Sequence, residues 1–169
     1  MEPSRRRGYV RLGVPGRSSE GIRKILQSNP VIFAHNPNYE TTEMLQSLQI
    51  GLHHLPESAA AFLIVLGDQP QVDSIVIRQI TADFIANHQS IIIPSYRYRR
   101  GHPWLVSVEW LTELLSLPVN ATLRNFLDKH KDVISYLNVD NSSVLMDLDT
   151  PDEYNQQKPQ GTKEDPDGR

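Results

Sequence analysis

The sequence predicts one α/β domain in three layers, with a mainly parallel sheet between helices. The first observation is size, because 169 residues fit a single domain at roughly 150 residues per domain. The second is composition, because 38% hydrophobic residues are enough to bury a core. The third is order along the chain, in which short apolar runs alternate with segments of helical spacing, as in βα units.

The composition also excludes several classes of protein. The chain has 17 Lys and Arg against 20 Asp and Glu, and a net charge of −3 is too balanced for a nucleic-acid coat protein. The absence of cysteine excludes disulfides, thiolate metal sites and a cysteine nucleophile. No run reaches the roughly 18 apolar residues of a membrane helix, and no signal-peptide run follows the arginines at 5–7. We therefore expect a soluble cytoplasmic protein without membrane or nucleic-acid partners.

The two ends of the chain differ from its middle. Residues 1–9 include three arginines and are expected to form a basic N-terminal arm. Residues 156–169 contain no aliphatic or aromatic side chain, so they cannot bury enough surface to offset the entropy lost on ordering. We expect them to be a disordered tail, and we place the folded domain at 10–155.

In the first half of the domain, strands are predicted where short apolar runs end at turn residues, and helices where apolar residues recur at helical spacing. In order, the elements are a strand and a helix within 10–26, a strand at 31–34, a helix at 44–55, a strand at 61–66 and a helix at 75–85. The helix within 10–26 is expected to bury Ile22, Ile25 and Leu26. Because the run 61–66 is continuously apolar, its strand is expected to be covered on both faces.

The same two patterns continue through the second half of the domain. In order, the elements are a strand at 91–94, a strand at 104–108, helices at 111–115 and 123–127, and strands at 133–139 and 144–148. Since Arg99, Arg100 and Gly101 separate the first two strands, the turn between those strands is expected at 99–101.

The first candidate for chemistry is Asp68, which follows the predicted strand 61–66 after Gly67. Open α/β sheets bind ligands just outside the carboxyl ends of their strands, so a carboxylate at this point is well placed for binding. Gly-Asp-X-Pro is also an ordinary turn sequence, and Asp68 would then only begin a turn before Pro70. Both interpretations stay open on the residues alone.

A second candidate group lies at the end of the predicted strand 144–148. Thr150 and Glu153 have the spacing of a capping box, so they predict a helix start rather than catalytic residues. Asp147 and Asp149 are two residues apart and share one face if the strand extends that far. Mg²⁺ that also holds phosphates takes only one or two carboxylates, which suits an aspartate at each of two strand ends. Two solvated carboxylates at an exposed strand end would give the same pattern.

The third candidate is the predicted hairpin around 97–103, which carries three arginines, Gly101 and His102. Arginines at such a tip can donate hydrogen bonds to an anion. A solvated hairpin tip has the same composition, so this interpretation also has an alternative. His102 is expected to be extended because it precedes Pro103.

In their order along the chain, these motifs resemble those of the MobA-like nucleotidyltransferases, and most closely the molybdenum cofactor cytidylyltransferases. The motifs are Asn36-Pro37, Leu66-Gly67-Asp68-Gln69-Pro70, Arg100-Gly101-His102-Pro103 and Asp147-Leu148-Asp149-Thr150-Pro151-Asp152. The resemblance implies a Rossmann-like fold and Mg²⁺-dependent transfer of CMP or GMP from CTP or GTP to molybdopterin, with release of pyrophosphate. A molybdoenzyme that receives the product is a further implied partner.

The resemblance also implies a role for individual residues. Catalysis and metal binding fall to Asp68 and Asp149, with Asp147 as a further metal ligand. The implied nucleotide-binding residues are Asn36, Ser47, Gly51, Gly67 and Gln69. The implied acceptor-binding residues are Arg100, Gly101, His102 and Arg124.

The chain departs from the family pattern at its beginning. Members begin with a strand and a glycine-rich loop, Leu-Ala-Ala-Gly-X-Ser-X-Arg-Met-Gly, whose amides cradle phosphates. Only 11 residues separate Lys24 from Asn36, so 10–26 fits the family's second strand and helix, and the first strand, loop and helix are expected to be absent. A truncated or non-catalytic member that keeps the fold for binding is therefore an alternative. A sugar-phosphate nucleotidyltransferase is another enzyme that the same aspartates fit.

Overall fold

The computed structural model describes residues 10–15 and 19–157, which form two compact units. Unit 1 contains the described residues up to Phe62 together with Ser107–Val133, and unit 2 contains Leu63–Val106 and the described residues from Ile134 onwards. The predicted basic arm at 1–9 and residues 158–169 of the predicted tail lie outside the described residues.

Helices and strands alternate along most of the chain, as the sequence predicts. The helices are α1 (Ser19–Ile25), α2 (Met44–Leu52), α3 (Ser74–Asn87), α4 (Leu111–Ser116), α5 (Leu123–Lys129) and α6 (Pro151–Gln157). The strands are β1 (Arg11–Gly13), β2 (Val31–Phe33), β3 (Ala61–Ile64), β4 (Ile91–Tyr96), β5 (Arg99–Arg100), β6 (Trp104–Ser107) and β7 (Ile134–Asn138). Short 3-10 helices lie at Val108–Trp110, Lys131–Val133 and Ser142–Leu145. Helix α6 extends two residues into the segment predicted as tail.

Unit 1 combines a small parallel sheet with a helical core. β1 pairs with β2 in parallel, with Leu12 opposite Ile32, and α1 connects the two strands. Helix α2 packs against α4. Helices α2, α4 and α5 bury the apolar side chains of Leu45, Leu52, Leu114, Leu123, Phe126 and Leu127. Burying a side chain of this size stabilises the fold by about 1.5–3 kcal/mol, so these helices supply much of the stability of unit 1.

Unit 2 is built around β4, whose first three residues, at 91–93, are fully buried isoleucines. β4 pairs in parallel with β7 over its first five residues, and it pairs antiparallel with β6 and β5. The strand order is β3-β6-β4-β5, with β7 on β4. Helix α3 packs against β4 and buries Val76 and Ile80 completely. A strand that is buried to this extent has a continuous run of apolar residues, and this is why the sequence predicts it well.

The α/β class is confirmed, but the sheet around β4 is mixed rather than mainly parallel. Only Arg97 and Tyr98 connect β4 to β5, and a two-residue connection permits only an antiparallel return. Both residues have positive φ, 49° and 63°, as in the type I′ turns that join tight hairpins. The turn at 97–98 therefore lies two residues before the predicted position at 99–101. Gly101 is not part of the turn.

β5 and β6 are two parts of one return strand along β4, interrupted at 101–103. Arg100 lies opposite Ser95 and Leu105 lies opposite Ile92, so two extra residues are accommodated between them. The Gly101 N–H still donates to the Pro94 carbonyl at 2.8 Å. The following peptide, between His102 and Pro103, is cis. The interruption takes His102 out of the regular pairing.

The prediction of a strand at 144–148 is wrong. Residues Ser142–Leu145 form a 3-10 helix, and 146–149 have no regular secondary structure. The Asn141 side chain accepts the Ser143 N–H at 2.9 Å and so caps this turn, while Val144 is fully buried. A short apolar run can be buried in a turn as well as in a strand, so the apolar pattern does not distinguish the two.

Two expectations about burial are also wrong. Ile22 and Ile25 of α1 are 37% and 77% exposed, and Leu63 of β3 is 36% exposed. Apolar spacing shows which side chains share a face, but it does not show whether another element covers that face. None of the helices among the described residues is long and apolar enough to cross a membrane.

Candidate functional site

The candidate site in unit 2 is formed where two loops meet. Loop 65–73 connects β3 to α3 and carries Asp68, and loop 146–150 precedes α6 and carries Asp147 and Asp149. The Leu148 N–H donates to the Asp68 carbonyl at 2.9 Å, so the two loops are in direct contact. All three aspartates are exposed. Residues almost 80 positions apart are thus held side by side with their carboxylates accessible.

Two glutamines of loop 65–73 add further bonds between the loops. Gln69 is only 5% exposed, and its Nε2 donates to Asp147 Oδ1 at 2.5 Å. Gln71 Nε2 donates to the Met146 carbonyl. Three consecutive residues of loop 146–150 are therefore bonded to loop 65–73.

The start of α6 holds the backbone around Asp149. Thr150 Oγ1 accepts the Glu153 N–H at 3.2 Å, and Glu153 Oε2 accepts the N–H groups of Asp149 and Thr150 at 3.0 and 2.9 Å. Hydrogen bonds from Thr150 hold the pKa of Glu153 below its usual range. The predicted capping box is confirmed, and it leaves the Asp149 side chain exposed.

His102 lies beside the two loops, at the interruption between β5 and β6. Its ring stacks on Trp104 with the centroids 4.3 Å apart, and it hydrogen-bonds the Ile64 backbone at the end of β3. Burial lowers the pKa of His102, while that bond and the charges of Asp147 and Asp68 act in the opposite direction. We conclude that the neutral ring is the favoured form near pH 7.

The donor atoms of the two loops fit a hard divalent cation. Carboxylate oxygens are the ligands that Mg²⁺ takes from proteins, and it keeps several waters that can donate hydrogen bonds. Gln69 Oε1, Gln71 Oε1 and His102 Nδ1 are buried acceptors without a partner among the described residues, so they match such donors. In 10–15 and 19–157, no three His, Asp or Glu side chains form a group that could hold a metal. A cation here therefore needs phosphate and water oxygens beside one or two carboxylates.

The predicted nucleotide-binding residues Asn36 and Ser47 lie together in unit 1. Asn36 is 2% exposed, and its Nδ2 donates to Thr42 Oγ1 and Ser47 Oγ, each at 3.0 Å. Its Oδ1 accepts the Asn38 N–H at 3.0 Å. These bonds fix the chain as it leaves β2 and tie it to α2. Beside them lies a cavity of about 470 Å³, whose lining includes Asn36, Pro37, Thr42, Gln46, Ile50 and Val119.

Gly51, also predicted to bind nucleotide, is buried against Val14, the residue that follows β1. A Cβ at Gly51 would lie 3.2 Å from Val14 Cγ2, so the glycine allows close packing of α2. Gly67 is different, since it is exposed and a Cβ there would meet nothing within 4 Å. The backbone at Gly67 does not have positive φ, so the structure gives it no steric requirement for glycine.

The predicted acceptor-binding residues divide between the two units. Arg100, Gly101 and His102 lie in unit 2, and Arg124 is exposed on α5 in unit 1. The Arg100 guanidinium lies 5.3 Å from the centroid of the Tyr136 ring on β7. Gly101 is buried, and a Cβ there would lie 2.7 Å from Val144 Cβ. Gly101 thus sets the distance between the return strand and the 3-10 helix that leads into loop 146–150.

Sequence reasoning missed the contribution of Gln71 and Trp104, and it missed the bond between Gln69 and Asp147. A glutamine in a loop carries no local pattern that predicts its partner. Trp104 is followed by apolar residues typical of a strand, so its sequence context indicates packing rather than contact with His102.

Comparison with family models gives one match, the MobA-like NTP transferase domain, over residues 11–133. A search of curated proteins finds no match. The fold is similar to that of Rv0371c from Mycobacterium tuberculosis H37Rv, with a TM-score of 0.70 and 25% identity. That similarity covers 88% of this chain and 76% of the Rv0371c chain.

Two further solved structures support the fold. A complex of Rv0371c with manganese has a TM-score of 0.69 and 24% identity, over 86% of this chain and 75% of that one. A nucleotidyl transferase from Methanothermobacter thermautotroptrophicus has a TM-score of 0.67 and 17% identity, over 86% and 69% of the two chains. The predicted Rossmann-like nucleotidyltransferase fold is confirmed.

Proposed function

Since the chain belongs to the MobA-like NTP transferase family, we propose that it is a nucleotidyltransferase of the molybdenum cofactor cytidylyltransferase type. It transfers CMP, or GMP, from the nucleoside triphosphate to the terminal phosphate of molybdopterin. A phosphate oxygen of the acceptor forms a bond to the α-phosphorus, the bond from that phosphorus to the β-phosphate oxygen breaks, and pyrophosphate leaves.

The observation that carries this proposal is the contact between loops 65–73 and 146–150. The Leu148 N–H donates to the Asp68 carbonyl, Asp149 is the next residue after Leu148, and both carboxylates are exposed, which supports a shared site. In the proposal, these two side chains hold Mg²⁺. Neutralisation of phosphate charge is the chemistry that the bound cation supplies.

The remaining role of this chain is to position the two substrates, because their reacting phosphates repel each other. We assign the acceptor to the region of Arg100 and His102, where the exposed guanidinium can donate to a phosphate and the neutral imidazole can accept a hydrogen bond from a polar ring. For unit 1 by itself, we propose that the cavity beside Asn36 and Ser47 binds a nucleotide. Support for that assignment is the cavity itself and the hydrogen bonds that fix its rim.

The experiment is a transfer assay with molybdopterin, Mg²⁺ and either CTP, GTP or UTP, following release of pyrophosphate. We expect turnover with CTP or GTP. Asp68→Ala should lower turnover by more than about 100-fold. Loss of a group that only hydrogen-bonds a metal ligand already lowers metal affinity or activity by about 10–100-fold. The matched control is Asp132→Ala, an exposed aspartate of the 3-10 helix Lys131–Val133, which should retain full activity.

Three results would contradict the proposal. Turnover that is unchanged in Asp68→Ala would remove the metal role of this carboxylate. No turnover with any nucleotide, from a protein that is folded and whose melting temperature does not rise with CTP and Mg²⁺, would favour the non-catalytic alternative. Turnover with UTP and a sugar phosphate instead would identify the other enzyme class.

A further inference from the structure

We propose that Gln69 is a positioning residue, whose buried amide anchors loop 146–150 and thereby holds Asp149 beside Asp68. This inference rests on the cation site of the proposed function. It gives Gln69 a different role from the nucleotide binding that the family resemblance implies, and it gives Asp147 the role of hydrogen-bond acceptor for Gln69 rather than that of metal ligand.

The bonds between the two loops follow a regular order along the chain. Gln71 donates to Met146, Gln69 donates to Asp147, and Leu148 donates to Asp68. As the residue number rises in one loop, it falls in the other, so the loops run past each other like a short antiparallel pair. Unlike a strand pair, however, this pairing depends on side-chain amides for two of its three bonds.

The Gln69–Asp147 bond joins two groups that differ in burial and in charge. Asp147 is exposed and charged, whereas Gln69 is 5% exposed, so the bond joins a surface carboxylate to a buried neutral donor. Hydrogen bonds to an ionised acceptor are about twice as strong as bonds between neutral groups. A glutamate at 69 would repel Asp147, and an apolar residue could not donate, so the amide is the group that suits this position.

The Gln69 amide is buried, and its donor is engaged. Its Nε2 donates to Asp147, while its Oε1 has no partner among the described residues and is left to accept from water at the cation site. A side chain that is 5% exposed, with its donor engaged in this way, is poorly placed to bind a nucleotide directly. It is well placed to fix the backbone from Met146 to Leu148, and Asp149 follows at once.

The test measures Mn²⁺ affinity of the full chain by the electron paramagnetic resonance signal of free Mn²⁺. In Gln69→Met, which keeps the size of the side chain but removes the donor, we expect the dissociation constant to rise by about 10–100-fold. Asp147→Ala should give a similar rise. Adding Gln69→Met to Asp147→Ala should then cause little further change, because the two single variants break the same bond.

The matched control is Asn87→Ala. Asn87 Nδ2 donates to Asp83 Oδ1 at 2.6 Å within α3, so this variant also removes an amide–carboxylate bond in unit 2. Its Mn²⁺ affinity should equal that of the wild type. If Gln69→Met does not fold, Gln71→Met removes the neighbouring bond to Met146 and is expected to weaken Mn²⁺ binding in the same direction.

A second measurement uses no metal. Hydrogen exchange of the Leu148 amide should be faster in Gln69→Met than in the wild type, because the anchor that protects the Leu148–Asp68 bond is lost. If the wild type binds Mn²⁺ and Gln69→Met changes neither affinity nor exchange, the positioning role is overturned while the cation site stands. If the wild type binds no Mn²⁺, the cation site fails and this role fails with it.

Discussion

At His102, burial and neighbouring charge act on one imidazole in opposite directions. Burial has the largest effect and lowers the pKa, and the Ile64 backbone bond with the carboxylates of Asp147 and Asp68 only partly compensates. The ring therefore resists protonation in the folded protein. A neutral His102 stacked on Trp104 lies near the two aspartates without adding positive charge.

The lowered pKa predicts how stability depends on pH. An unfolded chain protonates this histidine near pH 6.5, above the pKa of the folded protein, so the unfolded state binds more protons in this range. The contribution of His102 to stability is thus present above about pH 6.5 and is lost as the pH falls through the lower, folded-state pKa.

Urea unfolding at about pH 7.5 and pH 5.5 checks this prediction. Wild type should lose more unfolding free energy between the two pH values than His102→Gln, which has no group to titrate. Parallel losses in the two proteins would show that the pKa of His102 is not lowered.

For single residues, the sequence predicts the exposed carboxylates but not the side chains whose hydrogen bonds hold their loops in place. Asp68 follows the apolar run 61–66 after Gly67, and Asp149 lies between the run 144–148 and Thr150, so local turn and capping patterns are enough to locate them. The Gln69–Asp147 bond spans 78 positions, and no local pattern encodes a contact of that separation.

At the scale of elements, Gly101 controls how the return strand β5–β6 packs on the 3-10 helix Ser142–Leu145. The Val144 carbonyl accepts the His102 N–H at 2.9 Å, and a Cβ at Gly101 would contact Val144 backbone and side-chain atoms. No side chain fits between the two segments. Since the 3-10 helix leads directly into loop 146–150, this packing also helps to locate Asp147 and Asp149.

Gly101→Ala is therefore expected to destabilise the protein by about 1–3 kcal/mol, the usual range for overpacking a tight contact. Chemical denaturation measures the change. Gly21→Ala is the control, because a Cβ at Gly21 in α1 meets nothing within 4 Å and alanine favours a helix. That control should be as stable as the wild type or slightly more stable, and an equally stable Gly101→Ala would contradict the packing argument.

The elements that the sequence predicts well are those with long or strongly periodic apolar patterns. β4 and α3 belong to this group, since 91–93 are buried isoleucines and α3 has 14 residues. The errors fall where the pattern is short. The run 144–148 fits a strand and a buried turn equally, and the hairpin turn uses Arg97 and Tyr98 where Asn-Gly is the usual signal.

For the whole molecule, the order of motifs along the chain was more informative than any one of them. The α/β class, the Rossmann-like nucleotidyltransferase fold and the MobA-like family all follow from that order, and the family match covers 11–133. The mixed sheet and the two units do not follow from it, because strand direction and packing depend on connections and contacts distant in sequence.

The central claim is that Asp68 and Asp149 share one divalent cation, and locating that cation tests it most directly. Crystals of the full chain soaked in Mn²⁺ give an anomalous difference map in which each ion is seen by itself. We predict one strong peak within bonding distance of both carboxylates. A peak that contacts neither of them, or separate ions on Asp68 and Asp149, would contradict the account.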